Sequence, residues 1–179
     1  MKHFFLITLS LFILSVSAQK ENYIINIEKD TVFCEKIESG CSKCINGKTT
    51  TKFKEQDVLQ YKIGDTTYYA ITGFKKKNHI HGALLMTNEK YKILQYDYLE
   101  SATSGPSIPR TKLLITDSKY TFITELALNE TTSTTLKKYF NQCEVFNDEL
   151  KKFKSSSQSK RFPISDFNHL VNVYSNSCQ

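Results

Sequence analysis

The stretch VLQYKIGDTTYYAI, residues 58–71, is the strongest indication of the fold. Two runs rich in β-branched and aromatic side chains lie on either side of the turn-forming pair Gly64-Asp65. Such runs suit a pleated, half-buried surface, and a short glycine-containing connection between them is typical of a β-hairpin. The sequence therefore predicts two antiparallel strands joined by a tight turn at residues 64–65.

Similar patterns extend outward from this hairpin over residues 22–123. Apolar and polar residues alternate there, and turn-forming residues interrupt the alternation. The segment at residues 101–109, rich in serine and proline, is predicted to be a loop. The predicted strands cover residues 23–27, 31–37, 48–54, 58–63, 66–71, 83–87, 91–98, 112–116 and 120–125.

The periodicity becomes helical after residue 125. Ser133 or Thr134 is expected to cap a first helix, apolar residues over 145–153 lie on one face of a second, and Ser165 is expected to cap a third. Strands followed by helices predict an α+β fold, a twisted antiparallel β-sheet followed by about three short C-terminal helices. We expect one domain at residues 19–179, with a β-rich part at 19–125 and a helical part at 126–179.

Residues 1–18 have the pattern of a secretory signal peptide. Lys2 provides a basic start, residues 4–16 form an apolar run, and Ala18 precedes the polar Gln19. The run is too short to span a bilayer, which takes roughly 20 apolar residues, and no later run approaches that length. We therefore expect cleavage after Ala18, a secreted or periplasmic protein, and no membrane span.

The charge distribution favours some partners over others. The chain has 24 Lys+Arg and 18 Asp+Glu, a formal net charge of +6. Nucleic-acid-binding proteins usually gather basic residues into a patch, whereas these lysines are scattered except at residues 75–77. We expect no nucleic-acid partner, and attraction to an anionic envelope or cell-surface polymer is more consistent with the composition.

Two of the five cysteines lie at the ends of the helical part. Cys143 comes just before the second predicted helix and Cys178 just after the third. Export makes disulfides permissible, and a bridge here would tie the end of the chain to the helical layer. Closing a loop of about 36 residues stabilises a protein by roughly 4 kcal/mol in the chain-entropy treatment.

The other three cysteines, Cys34, Cys41 and Cys44, leave several arrangements open. One local disulfide, joining Cys34 to Cys41 or Cys44, or Cys41 to Cys44, would leave one thiol. A redox pair at Cys41 and Cys44 is less favoured because it normally needs a helix N-terminus. A zinc site of three thiolates with His79 or His81 is opposed by the absence of a second Cys-x-x-Cys and by the oxidising compartment.

His79 and His81 lie on one face if their segment is a strand. Such a pair can hold copper, nickel or zinc, but no acidic residue or cysteine nearby in the sequence completes a site. We interpret the two histidines as an exposed polar pair at the end of a hairpin, and we expect no metal and no cofactor.

No motif of an enzyme stands out. The chain lacks Gly-x-Ser-x-Gly, His-Glu-x-x-His and a glycine-rich phosphate loop, and it has only 6 glycines. A binding role is more consistent with the tyrosines in the predicted strands, of which about half must serve the core. These tyrosines are Tyr61, Tyr68, Tyr69, Tyr91, Tyr96 and Tyr98.

Short patterns at both ends of the mature chain carry a resemblance. The patterns near the N-terminal end are Tyr23-Ile24-Ile25, Asp30-Thr31 and Lys36-Ile37. The patterns near the C-terminal end are Tyr139-Phe140-Asn141-Gln142-Cys143 and Val171 through Tyr174, Asn176 and Cys178. In these the chain resembles an uncharacterised family of secreted envelope proteins from Gram-negative bacteria. The resemblance spans most of the mature chain and implies no activity or site residue, but it does imply a Cys143–Cys178 bridge.

Together these features predict a non-enzymatic secreted or periplasmic module with a binding or structural role in the cell envelope. Its partner would be an as yet unknown protein or glycan. The alternative is a thiol-redox or zinc-binding protein that uses Cys41 and Cys44.

Overall fold

The computed structural model describes residues 21–74, 79–101, 105–154 and 162–178, so the signal-peptide prediction lies outside the described residues. The strands are β1 (Asn22–Asn26), β2 (Thr31–Cys34), β3 (Lys36–Glu38), β4 (Lys43–Asn46), β5 (Thr49–Lys52), β6 (Val58–Ile63), β7 (Thr66–Ile71), β8 (Ile80–Thr87), β9 (Tyr91–Glu100), β10 (Ile108–Asp117) and β11 (Phe122–Leu126). A 3-10 turn at Glu55–Asp57 precedes β6, and the helices are α1 (Thr132–Tyr139), α2 (Glu144–Lys154) and α3 (Ile164–Ser177).

These elements form the predicted α+β fold. Eight strands make one sheet in the order β11-β10-β9-β8-β7-β6-β1-β2, and β3, β4 and β5 make a second, smaller sheet. All the strand pairs are antiparallel, and three helices follow the last strand. The hairpin at residues 58–71 is confirmed, with Gln60 opposite Tyr69 and Gly64 in the left-handed conformation that the turn requires (φ 59°).

The predicted strand at residues 31–37 is divided between the two sheets. β2 ends at Cys34, and the Glu35 amide donates to the Ile45 carbonyl (3.1 Å) and to Asn46 Oδ1 (2.8 Å). The chain therefore leaves the large sheet at Glu35 and pairs with β4, a strand that the sequence did not predict.

Several boundaries differ from the prediction, and three of them have a clear local setting. β10 begins at Ile108, inside the predicted loop, because Ile108 pairs with Glu100 of β9. α1 begins at Thr132, ahead of the expected caps, and Thr132 Oγ1 accepts from the Asn129 amide (2.8 Å). Ser165 lies inside α3, which begins after Pro163 without a side-chain cap.

The helices and the small sheet both pack on the same face of the large sheet, which we call the covered face. The helices pack on its β8–β11 part in a core of Met86, Ile93, Leu113, Ile115, Leu126, Leu136, Phe140, Phe146, Leu150, Phe162, Phe167, Leu170 and Tyr174. The small sheet packs on its β1–β2–β6 part in a core of Ile24, Cys34, Ile37, Cys41, Cys44, Val58 and Tyr61. No described helix is long and apolar enough to cross a membrane.

The sheet curls toward its opposite face, which we call the open face. Thr72, next to β7, forms a bridge with Thr121, next to β11, although three strands separate β7 from β11 in the sheet. The Thr72 amide donates to the Tyr120 carbonyl (3.1 Å), and the Phe122 amide donates to the Thr72 carbonyl (2.8 Å). The curl encloses a third apolar core made of Ile71, Phe74, Ile80, Leu94 and Leu114.

Candidate functional site

Four of the cysteines form two disulfides. Cys143 and Cys178 have sulfur atoms 2.00 Å apart, and Cys34 and Cys44 have sulfur atoms 2.10 Å apart. Of the local disulfides that the sequence left open, Cys34–Cys44 is therefore the one that forms, and Cys41–Cys44 does not form. Cys44 lies on β4, whose packing beside β2 places its Cα 5.3 Å from that of Cys34, whereas Cys41 remains a buried free thiol.

This pairing also removes the zinc site with three thiolates, because two of those sulfurs are bonded to each other. Across the described ranges, no cluster of three or more His, Cys, Asp or Glu side chains is suitable for a metal ion. Of the residues proposed for that site, Cys34 and Cys44 are bonded to each other, and Cys41 contacts His81.

His81 is buried, which corrects its interpretation as part of an exposed pair. Only 9% of the residue is accessible, because β8 turns its ring toward the face that the small sheet covers. Cys41 Sγ lies 3.9 Å from His81 Nδ1, and His81 Nε2 lies 2.9 Å from the Val58 carbonyl oxygen. His79, two residues earlier, is half-buried and is not a hydrogen-bonding partner of Cys41.

The contacts of His81 define its tautomer. A carbonyl oxygen only accepts hydrogen bonds, so Nε2 carries the hydrogen and Nδ1 of the neutral ring accepts from the Cys41 thiol. Burial lowers the pKa of His81, against the opposing effects of the Val58 hydrogen bond and the Glu55 carboxylate. The ring is therefore neutral at pH 7.

Cys41 is likewise held in its neutral form. Burial, followed by the nearby charge of Glu55, raises the pKa of the Cys41 thiol to about 12. Only 1% of the residue is accessible, although Glu55, whose Oε1 lies 4.0 Å from His81 Nδ1, is itself exposed. The arrangement has a nucleophile, a base and an orienting carbonyl, but the nucleophile is protonated and sealed from solvent.

The sequence associated Cys41 and His81 only as candidate ligands of a zinc site and offered no signal for a direct contact, because 40 residues separate them. The aromatic neighbours of the pair come from the predicted tyrosines. Tyr61 lies 5.4 Å from the His81 ring and stacks on Tyr68 at 4.6 Å, and burial raises the pKa of Tyr61.

The other predicted tyrosines lie in two different environments. Tyr91 contacts Tyr139 of α1 (ring centroids 4.9 Å apart) and so belongs to the helical layer. Tyr69, Tyr96 and Tyr98 lie on the open face, where Tyr69 and Tyr96 pack partly buried against the third apolar core and Tyr96 stacks on Tyr98 at 5.5 Å. The tyrosines are thus divided between the packed layers and the open face.

A continuous row of side chains crosses the open face, and we call it the aromatic strip. Its members are Phe33, Tyr23, Gln60, Lys62, Tyr69, Tyr120 and Lys92. The row begins on β2, where Phe33 contacts Tyr23 edge to face at 6.5 Å. Gln60 Nε2 donates to the Tyr23 hydroxyl (2.7 Å), and Gln60 lies directly opposite Tyr69 in the β6–β7 pair.

The far end of the aromatic strip consists of Tyr120, in the turn between β10 and β11, and Lys92 of β9. Tyr120 stacks on Tyr69 at 4.4 Å and 12°, and Lys92 Nζ lies 5.0 Å from the centre of the Tyr120 ring. Tyr120 has a φ of 64°, a conformation that is costly for a bulky side chain. The bridge to Thr72 and the stack on Tyr69 hold it there.

The aromatic strip is basic. Its two lysines, Lys62 and Lys92, have no carboxylate partner among the described residues. The open-face positions of β1, β2, β6 and β7 carry aromatic, aliphatic, threonine, glutamine and lysine side chains and no acidic one. Among the described residues, no helix or strand packs over this part of the face.

Comparison with known proteins found no matching family model, no matching curated protein and no matching solved structure.

Proposed function

We propose that this protein is a non-enzymatic binding module of the cell envelope, secreted or exported to the periplasm, and that the aromatic strip is its binding surface. The observation that carries the proposal is the asymmetry of the large sheet. Helices and a second sheet pack on one face, whereas a continuous row from Phe33 to Lys92 lies on the other. Aromatic rings beside hydrogen-bonding and charged groups are typical of recognition surfaces.

Two further observations support a binding role. The clearest pair of a nucleophile and a base, Cys41 and His81, is sealed from solvent and electrically neutral. The two disulfides are compatible with an oxidising location such as the periplasm or the exterior of a cell.

Cosedimentation with purified envelope fractions tests the proposal. We expect the mature protein to sediment with the fractions and the double variant Tyr23→Ala/Phe33→Ala to remain in the supernatant. The matched control is Leu99→Ala, because Leu99 is 69% exposed and lies outside the aromatic strip. Equal sedimentation of both variants would overturn the assignment of the surface, and turnover of ester, peptide or glycoside substrates would overturn the non-enzymatic role.

A second candidate function is thiol–disulfide exchange, and the contact of Cys41 with His81 favours it. Cys34, Cys41 and Cys44 lie in one buried cluster. His81 Nδ1 would take the Cys41 proton, and the thiolate would attack one sulfur of the Cys34–Cys44 bridge. A new disulfide would form as the old one breaks, and the displaced thiolate would take the proton back, so no external oxidant is needed.

Non-reducing peptide mapping tests this second function. Samples incubated at pH 8 and quenched with acid should contain both Cys34–Cys44 and a bridge that includes Cys41, whereas Cys41→Ser should contain Cys34–Cys44 alone. A single invariant Cys34–Cys44 bridge in the wild-type protein would exclude exchange.

A further inference from the structure

We infer that the aromatic strip binds an acidic polysaccharide, so that pyranose rings lie on the aromatic side chains and carboxylates meet the two lysines. This inference rests on the proposed function, because it names the class of ligand for the same surface. Its basis is the alternation along the strip of aromatic rings, hydrogen-bonding groups and unpaired positive charge.

The aromatic members suit sugar rings. A pyranose ring has an apolar face of C–H groups and an edge of hydroxyls, so an exposed ring beside an amide recognises both. Phe33 is 56% exposed and Tyr23 is partly exposed, while Gln60 holds the Tyr23 hydroxyl at 2.7 Å. The four strands β2, β1, β6 and β7 are neighbours, so the three gaps between them span roughly 14 Å, enough for an oligosaccharide.

The charges select an anionic glycan over a neutral one. Lys62 lies directly opposite both Tyr23 and Thr67, so its ammonium group belongs to the same row as the rings. Lys92 Nζ contacts the Tyr120 ring and lies 3.5 Å from Thr87 Oγ1. Both lysines lack a carboxylate partner in the described structure, so each is free to pair with a uronate carboxylate.

The edges of the sheet disfavour a peptide ligand that adds as a further strand. On the outer edge of β2, Asn46 Nδ2 donates to the Phe33 carbonyl (2.8 Å), and Asn46 Oδ1 accepts from the Glu35 amide (2.8 Å). At the start of β11, the Phe122 amide already donates to Thr72. A peptide would find these backbone groups occupied, whereas a glycan lying across the face does not need them.

Titration calorimetry with an oligogalacturonate tests the inference, and its methyl-esterified form is the matched neutral ligand. We expect the acidic form to bind the mature protein about tenfold more tightly than the ester, with an affinity that falls as salt rises. Phe33→Ala and Lys62→Gln should each weaken binding about fivefold or more. The control variants Leu99→Ala and Lys137→Gln, exposed positions outside the strip, should bind like the wild type.

The other outcomes separate this inference from the proposed function. Equal affinity for both forms of the glycan, or binding that Phe33→Ala and Lys62→Gln leave unchanged, would overturn the inference. Preferential binding to an oligo-aspartate peptide or to phosphatidylglycerol vesicles would also overturn it. If the oligogalacturonate does not bind but envelope fractions still require Tyr23 and Phe33, the inference is wrong and the proposed function stands. If neither binds, both are wrong.

Discussion

Replacing Gly82 with alanine tests the curled packing of the large sheet. Gly82 lies on the open face of β8, directly opposite Tyr69. A Cβ atom there would lie 2.9 Å from Ile71 Cδ1, 2.9 Å from Leu94 Cβ and 3.2 Å from the Gln95 carbonyl oxygen. Carbon atoms in favourable contact are about 3.5 to 4.0 Å apart, so the new methyl group would overlap both neighbours by roughly 0.6 Å or more.

The surroundings leave little room for relaxation. Ile71 and Leu94 are fully buried, and both the Leu94 Cβ and the Gln95 oxygen are attached directly to paired backbone. Overpacking of this kind costs about 1 to 3 kcal/mol, and the lower entropy of the unfolded alanine chain offsets about 0.4 to 1 kcal/mol. These terms leave a net loss of about 0 to 2.6 kcal/mol, and because the new methyl group overlaps two fixed neighbours we expect Gly82→Ala to lower the free energy of unfolding by about 1 to 2 kcal/mol.

A double-mutant cycle measured by urea denaturation identifies the cause. Ile71→Val removes the Cδ1 atom that the new methyl group meets, and alone it should cost about 0.5 to 1.5 kcal/mol. In the Gly82→Ala background, the same change should cost at least about 0.5 kcal/mol less, because it relieves part of the overlap. Additive effects, or a Gly82→Ala protein as stable as the wild type, would refute the packing described for the curl.

Three further predictions concern the buried groups and the disulfides. Burial lowers the pKa of His81 below 6.5. As pH falls, the imidazole therefore takes up its proton in the unfolded chain before it does so in the folded protein. Its contribution to stability is therefore complete above about pH 6.5 and is lost as pH falls through the folded pKa, and His81→Gln should abolish that part of the pH dependence of urea unfolding. Replacing both Cys143 and Cys178 with serine should lower the free energy of unfolding by roughly 4 kcal/mol, since their sequence separation is 35. Iodoacetamide should alkylate Cys41 slowly in native protein and rapidly in 8 M urea, because the residue is buried and burial raises its thiol pKa to about 12.

Each of these expectations has a contrary result. An unchanged pH profile in His81→Gln would show that this imidazole does not titrate differently on folding. If the variant without the Cys143–Cys178 disulfide lost less than about 1 kcal/mol of unfolding free energy, loop entropy would not be the main contribution of that disulfide to stability. Alkylation of Cys41 at the same rate with and without urea would contradict its burial.

Local patterns were sufficient for much of the fold. The hairpin at residues 58–71 follows from two β-rich runs around Gly64-Asp65, and the helices at the end follow from a change in apolar spacing. Both signals arise among residues that are neighbours in the chain. The three-stranded sheet was missed because β4 is short and Glu35 is drawn from β2 by hydrogen bonds to Ile45 and Asn46.

The amino-acid sequence alone therefore determined that strands precede helices, and it supplied the tyrosines and cysteines. Only the tertiary structure decided that Cys34 pairs with Cys44, that Cys41 meets His81, and that Tyr120 reaches Tyr69. The physical reason is that hairpin and helix patterns act over a few residues, whereas these contacts depend on how the sheet curls and which face each layer covers. Those arrangements result from apolar packing summed over the whole chain.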